Sequence, residues 1–147
     1  MMLYKALVRD WMTTPVISVN PDAPIRAAYH LMKDTGIRHL PIISKNKLVG
    51  ILSMGDVREA SPSDATTLSI WEMNYLWDKL TVDRAMTDKV ITVKDDERLV
   101  DAISIMLDHK FSSLPIVDEN GYVVGILTES DIFRAILYEA EQAKTTP

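Results

Sequence analysis

The chain has 147 residues, 47% of them apolar and 25% charged, and a formal net charge of −5. That size allows one domain, or two small ones sharing a core, and the composition is that of an ordinary globular protein. The absence of cysteine excludes disulfides, thiolate zinc sites and cysteine nucleophiles; no Lys/Arg cluster suits nucleic acid, and no apolar run nears the roughly 18 residues that cross a membrane. Residues 1–11 carry Lys5, Arg9 and Asp10 and lack the apolar stretch of a signal peptide, so a cytoplasmic protein is expected.

One stretch occurs twice. Residues 49–56 read Val-Gly-Ile-Leu-Ser-Met-Gly-Asp, and residues 124–131 read Val-Gly-Ile-Leu-Thr-Glu-Ser-Asp. Both belong to a longer repeat. Residues 8–57 align with 82–132, with one gap opposite Gly121, and nineteen of the fifty aligned pairs are identical. This is a duplicated supersecondary unit. A single unit of about 50 residues is marginal for burying a core, and two packed together solve that.

Each unit reads in the same order. Met12-Thr13 precedes Val16-Ile17-Ser18-Val19, and Met86-Thr87 precedes Val90-Ile91-Thr92-Val93; both tetrapeptides predict a short strand. Next comes a helix. Ile25, Ala28, Tyr29 and Met32 repeat at helical spacing, as do Leu99, Ala102, Ile103 and Met106. Pro24 suits the first turn. Gly36 is a natural stop for the first helix, whereas Lys110 at the aligned position predicts a different ending. Two strands follow, led by Leu40-Pro41-Ile42-Ile43 and Leu114-Pro115-Ile116-Val117. Their turns hold Lys45-Asn46 and Asn120-Gly121, the latter being the stronger hairpin signal. Gly50 and Gly125 interrupt the second strands, which predicts a close backbone approach. Ser53 with Asp56, and Thr128 with Asp131, have capping-box spacing at the start of a final helix, ending near Ala60 and Tyr138.

The expected organisation is therefore a first unit over 1–60, a linker over 61–81, a second unit over 82–138 and a fraying polar tail over 139–147. Ser61-Pro62-Ser63-Asp64 predicts an exposed connection, and 68–80 a helix with a capping box at Ser69 and Glu72. That helix is apolar around most of its circumference, so it must be covered by the rest of the chain or by another subunit.

These motifs resemble a pair of CBS domains, the tandem regulatory unit also called a Bateman module. The matching features are Met-Thr at 12–13 and 86–87, Leu-Pro-Ile at 40–42 and 114–116, and Val-Gly-Ile-Leu-(Ser/Thr)-x-x-Asp at 49–56 and 124–131. The likeness covers about residues 8–137. The linker helix is similar to that of small prokaryotic proteins of the acetoin-utilisation type; those often carry a further carboxy-terminal domain, which a chain ending at Pro147 is expected to lack.

The resemblance implies an α+β fold of two β-α-β-β-α units packed about a pseudo-twofold axis through small three-stranded sheets. It implies a disc-like homodimer. It also implies a regulatory rather than enzymatic role, with an adenosine-containing ligand (AMP, ADP, ATP or S-adenosylmethionine) in clefts between the units. No required cofactor is implied, and the signal would pass to a separate effector protein. On this reading Asp56 and Asp131 accept hydrogen bonds from the ribose diol, and Ser53, Thr128, Arg38 and His39 supply donors to phosphate. Val16, Ile17, Val90, Ile91 and the residues beside Pro15 offer apolar contacts to adenine, with Thr13 and Thr87 at the rim. Ser112 and Ser113 stand where the first unit has Arg38 and His39. The clefts are thus unequal: the second has the better sugar motif, the first the better anion donors.

Blander readings stay open. The Ser/Thr–Asp pairs are also plain helix caps, Arg38 a solvated charge at a strand end, and His39 a partly buried histidine. An interaction scaffold with vestigial clefts competes with the sensor. No nucleophile elbow, Walker loop or H-x-x-x-H spacing occurs, so neither catalysis nor a metal site is expected.

Overall fold

Val8 and Val82 head the two repeats, and each is buried in the core built mainly by the other. The computed structural model describes residues 2–61 and 69–145. In chain order the elements are α1 (Val8–Trp11), α2 (Ile25–Thr35), β1 (His39–Ser44), β2 (Lys47–Ser53), α3 (Met54–Ala60), α4 (Ile70–Lys79), β3 (Val93–Lys94), α5 (Leu99–His109), β4 (Ser113–Val117), β5 (Val123–Thr128) and α6 (Glu129–Thr145). The chain divides into two compact units. A central unit spans Ile17–Val90, and a split unit joins Met1–Val16 to Ile91–Pro147. Repeat boundaries in sequence and unit boundaries in space therefore differ at the amino end of each repeat.

Backbone hydrogen bonds explain the exchange. In the central unit, β1 and β2 pair as an antiparallel ladder. The open edge of β2 is closed by Thr87: Ile51 N–H donates to Thr87 O at 2.9 Å and Thr87 N–H to Ile51 O at 2.8 Å. In the split unit β3, β4 and β5 form one sheet, and Thr13 closes the edge of β5 with the same reciprocal pair to Ile126, at 2.8 and 3.1 Å. An unpaired edge is a liability, and the Met-Thr segment of the other repeat removes it. The helix starts are served the same way. Ile25 N–H donates to Leu80 O at 3.0 Å, and Leu99 N–H to Ala6 O at 2.8 Å.

The glycines are where these segments press closest. A β-carbon on Gly50 would lie 2.5 Å from Met86 Sδ and 2.9 Å from Thr87 O. On Gly125 it would lie 2.5 Å from Met12 Sδ and 3.1 Å from Thr13 O. The expected close approach is present in both copies. Each ladder also carries a register shift beside its glycine, at Ile42/Ile43 and at Ile116/Val117.

Both core helices bury the predicted face, with Ile25, Ala28 and Met32 on α2 and Leu99, Ala102 and Met106 on α5. Four local expectations need correction. The tetrapeptide Val16-Ile17-Ser18-Val19 is not a strand. Only Val19 pairs, donating to Pro41 O and accepting from Ile43 N–H, because Ile17 and Ser18 lie exposed with no neighbouring backbone. Its counterpart pairs only over Val93–Lys94. Lys110 ends α5 as Gly36 ends α2, in the left-handed region, at φ 58° against 74°. The turn signals are also inverted. Ser44 pairs with Lys47, so Lys45 and Asn46 form a two-residue turn, both with positive φ. Asn120-Gly121 sits instead in a longer loop between Val117 and Val123. There the Asp118 carboxylate accepts from Asn120 N–H at 2.9 Å and Tyr122 N–H at 3.0 Å. Finally, α6 runs past Tyr138 to Thr145. Glu139 Oε1 accepts from Leu3 N–H at 3.1 Å, tying the helix to the amino end, and the residues beyond it are good helix formers.

A non-glycine residue at positive φ is strained. Lys110→Gly is therefore expected to raise stability by about 0.5–1 kcal/mol, read as a higher denaturation midpoint at unchanged slope.

The helix predicted over 68–80 is observed as α4, capped by Ser69, whose Oγ accepts from Glu72 N–H at 3.2 Å. Its predicted first residue and the connection at Pro62-Ser63-Asp64 lie outside the described residues. One side of α4 packs on α2. Trp77 faces Tyr29 at 5.8 Å and lies under the Arg26 guanidinium at 4.7 Å. Arg26 also bonds Asn74 at 2.9 Å and pairs with Asp78 at 3.0 Å. The other side leaves Ile70, Trp71, Tyr75 and Leu76 exposed. Among the described residues no helix is long and apolar enough to cross a membrane.

Candidate functional site

The two units distribute the predicted site residues. Val16, Ile91, Thr13, Pro15, Ser112, Ser113, Thr128 and Asp131 belong to the split unit; Ile17, Val90, Arg38, His39, Ser53, Asp56 and Thr87 belong to the central one. The apolar residues expected to contact adenine are divided between the units, Val16 and Ile91 in the split unit and Ile17 and Val90 in the central one.

In the split unit, β5 delivers Thr128 to the start of α6, and the bridge at Ile126 sets Thr13 beside it. These converge on Asp131, which is 1% exposed. Its Oδ1 accepts from Thr13 Oγ1 at 2.8 Å and pairs with Arg134. Its Oδ2 accepts from Thr128 N–H at 2.9 Å and Thr128 Oγ1 at 3.1 Å. Every direction in which a carboxylate readily accepts is engaged. Ser113 is buried on β4 opposite Thr128, and Ser112 is exposed just before it.

In the central unit the corresponding corner is looser. Ser53 N–H donates to Asp56 Oδ2 at 2.9 Å, and Ser53 Oγ accepts from Asp56 N–H at 3.0 Å, a full capping box. Asp56 is half-buried, and among the described residues its Oδ1 accepts no hydrogen bond. Thr87 closes the sheet edge as Thr13 does, but no bond joins its hydroxyl to Asp56. His39 begins β1 opposite Ser53, and Arg38, exposed one residue earlier, accepts from Met54 N–H through its carbonyl at 3.0 Å. These residues rim an open depression of about 670 Å³, lined by Lys33, Arg38, His39, Ser53, Gly55 and Arg58 among others.

The depression brings Arg38, His39 and Ser53 together, as the sequence reading grouped them, and adds Lys33 and Arg58, which it missed. Lys33 is in the last turn of α2 and Arg58 in the last turn of α3. Both are exposed helix charges, and only the meeting of the two helix ends around β1 gives them a shared purpose. Arg134 was missed as well, although its i+3 spacing from Asp131 on a helix was a readable signal. Asp56 does not itself line the depression but is tied to it through its capping partner Ser53; three cations on one depression suit an anionic ligand. Among the described residues no group of three or more His, Cys, Asp or Glu is placed to hold a metal ion.

Comparison with known proteins identifies the family. The CBS domain family matches residues 8–63 and 82–138. The CBSX2 protein of Arabidopsis thaliana, solved in complex with AMP, is 30% identical, with a TM-score of 0.76 over 92% of this chain and 98% of that one. A CBS domain pair solved with 5′-methylthioadenosine and S-adenosyl-L-methionine is 31% identical, with a TM-score of 0.75 over 91% of this chain and 98% of that one. A protein of Vibrio cholerae named for acetoin utilization is 29% identical, with a TM-score of 0.78 over 96% and 98%. Curated relatives are longer. A homoserine O-acetyltransferase of Methanosalsum zhilinae is 33% identical over 130 residues, which are 88% of this chain and 24% of that protein. An uncharacterized protein of Methanocaldococcus jannaschii is 29% identical over 135 residues, or 87% and 46%. The chain thus spans at most about half the length of these curated relatives. With two family matches covering most of its residues and both Leu-Pro-Ile and Val-Gly-Ile-Leu motifs on the strands that build the sheets, the chain belongs to the CBS domain family, as a tandem pair.

Proposed function

We propose that the chain is a regulatory module that binds an adenosine-containing ligand (AMP, ADP, ATP or S-adenosylmethionine) and passes the signal to a separate effector protein. The observation that carries this reading is the central unit's basic depression, whose lining includes Ser53, the capping partner of Asp56, and its chain neighbour Gly55. Asp56 accepts from the ribose hydroxyls, Arg38 and His39 meet the phosphate, and Ser53 adds a donor. Two relatives bound to adenosyl ligands support the ligand class. Ligand works by favouring one conformation that the effector reads, and the reading assigns no catalytic step to the chain.

A panel of adenosyl compounds tested by thermal unfolding checks it. A ligand at about 100 times its dissociation constant adds about 2.7 kcal/mol, a rise of roughly 5–10 °C. No rise with any adenosyl compound sinks the proposal. Asp56→Ala is expected to cost only about 1 kcal/mol of stability, a cap's worth, while weakening ligand about tenfold or more.

A scaffold reading has its own observation. Besides α4, the split unit exposes Leu107, Phe133, Ile136 and Leu137 on α5 and α6, an apolar face of the kind buried between subunits. We propose that it serves a homodimer. Sedimentation of Phe133→Arg is expected to give a monomer; a dimer that survives this change assembles elsewhere.

A further inference from the structure

We propose that the chain holds one phosphorylated adenosine ligand per polypeptide, on the central unit, and does not hold nucleosides that lack a phosphate. This rests on the adenosyl-binding reading above and narrows it from all adenosyl compounds to nucleotides. The first support is charge at matched positions. Lys33, Arg38 and Arg58 give the central depression three formal positive charges. The residues aligned with them in the split unit are Leu107, Ser112 and Phe133, and Leu107 and Phe133 lie exposed. Of the ten positions aligned with the depression's lining, only Lys110 and Glu129 carry full charges, and these cancel. A phosphate finds three cations at the central depression and no net charge at the aligned positions of the split unit.

The second support is independent of charge. Among the described residues Asp56 Oδ1 accepts no hydrogen bond, whereas both oxygens of Asp131 are engaged. For Asp131 to accept from ribose, Thr13 or Arg134 must first leave it, so each ligand bond replaces one already made. The split unit has committed its aspartate to holding Thr13 against α6. A nucleoside without phosphate gains little on either unit: on one the aspartate is occupied, and on the other the three cations go unused.

Isothermal titration calorimetry on the full chain tests this, with AMP, adenosine, 5′-methylthioadenosine and S-adenosylmethionine as probes. The expected result is one AMP per chain, weakened by added salt, with the three phosphate-free probes at least about tenfold weaker. Arg38→Ala with Arg58→Ala is expected to weaken AMP about a hundredfold while thermal unfolding without ligand stays within a few degrees of the parent. Lys110→Gly, which removes the cation aligned in the split unit, is expected to leave AMP affinity within about twofold. Two equivalent AMP sites per chain overturn the inference, as does a phosphate-free probe that binds as tightly as AMP, or AMP lost in Lys110→Gly and kept in the double variant. Those outcomes leave the adenosyl-binding reading standing. Failure of all four probes and of ADP and ATP to bind removes both.

Discussion

Asp131→Ala is expected to cost about 2–4 kcal/mol of unfolding stability, well beyond the cost of losing a helix cap. The sequence assigns Asp131 and Asp56 the same place in the same motif, and an isolated cap contributes about 1 kcal/mol. The difference lies in what else each carboxylate holds. Asp131 is 1% exposed and accepts from Thr13 Oγ1, Thr128 N–H and Thr128 Oγ1 while pairing with Arg134. Alanine there removes four hydrogen-bond and ion-pair contacts of a buried carboxylate at once and unfastens Thr13 from α6. Asp56 is half-buried and, among the described residues, holds only its own cap. Arg134→Ala is expected to matter less, under about 1 kcal/mol, since the guanidinium end is mostly exposed. Urea titration of the three variants checks the order. Equal losses for Asp131→Ala and Asp56→Ala would reduce both aspartates to caps. The same burial makes Asp56 the better position for a binding assay, because Asp131→Ala mixes lost affinity with lost fold.

Gly50→Ala is the second large effect, an expected loss of about 1–3 kcal/mol. The added methyl falls 2.5 Å from Met86 Sδ and 2.9 Å from Thr87 O. The thioether can swing away, but the carbonyl cannot, because it is held in the pair with Ile51. Gly125→Ala is expected to cost somewhat less, its carbonyl contact being 3.1 Å. A Met86→Ala background isolates the sulfur contact. The double-mutant cycle is expected to recover part of the loss, with a coupling of about 0.5–2 kcal/mol. Full recovery would mean that the methionine, not the closed sheet edge, sets the need for glycine.

The readable parts of the chain were those where local pattern and final contact coincide. The helical spacing of Ile25, Ala28 and Met32, and of Leu99, Ala102 and Met106, marked the buried faces because a helix face has one period wherever it packs. Gly50 and Gly125 signalled close approach because only hydrogen fits there. Other features depended on partners distant in sequence. Val16-Ile17-Ser18-Val19 has strand composition, but only Val19 finds neighbouring backbone. Asn120-Gly121 has the composition of a tight turn, yet the pairing of Val117 with Val123 leaves it in a longer loop, while Ser44 and Lys47 close the tight turn around Lys45-Asn46. Lys110 takes a glycine's conformation because the α5–β4 connection repeats the α2–β1 geometry whatever residue stands there. Arg38 was legible beside its strand, whereas Lys33 and Arg58 were two unremarkable helix charges until folding placed them on one depression.

Duplication, helix faces, and the Ser/Thr-x-x-Asp corners were written in local order, since each depends on residues a few positions apart. Which Met-Thr segment closes which sheet was not, because both copies are nearly identical and only long-range pairing chooses between them: Thr13 goes to β5 and Thr87 to β2. That choice also separates the two aspartates. Thr13 reaches Asp131 and fills its last acceptor, Thr87 does not bond Asp56, and so one copy of a shared motif is closed inside the fold while the other keeps an oxygen without a hydrogen bond among the described residues.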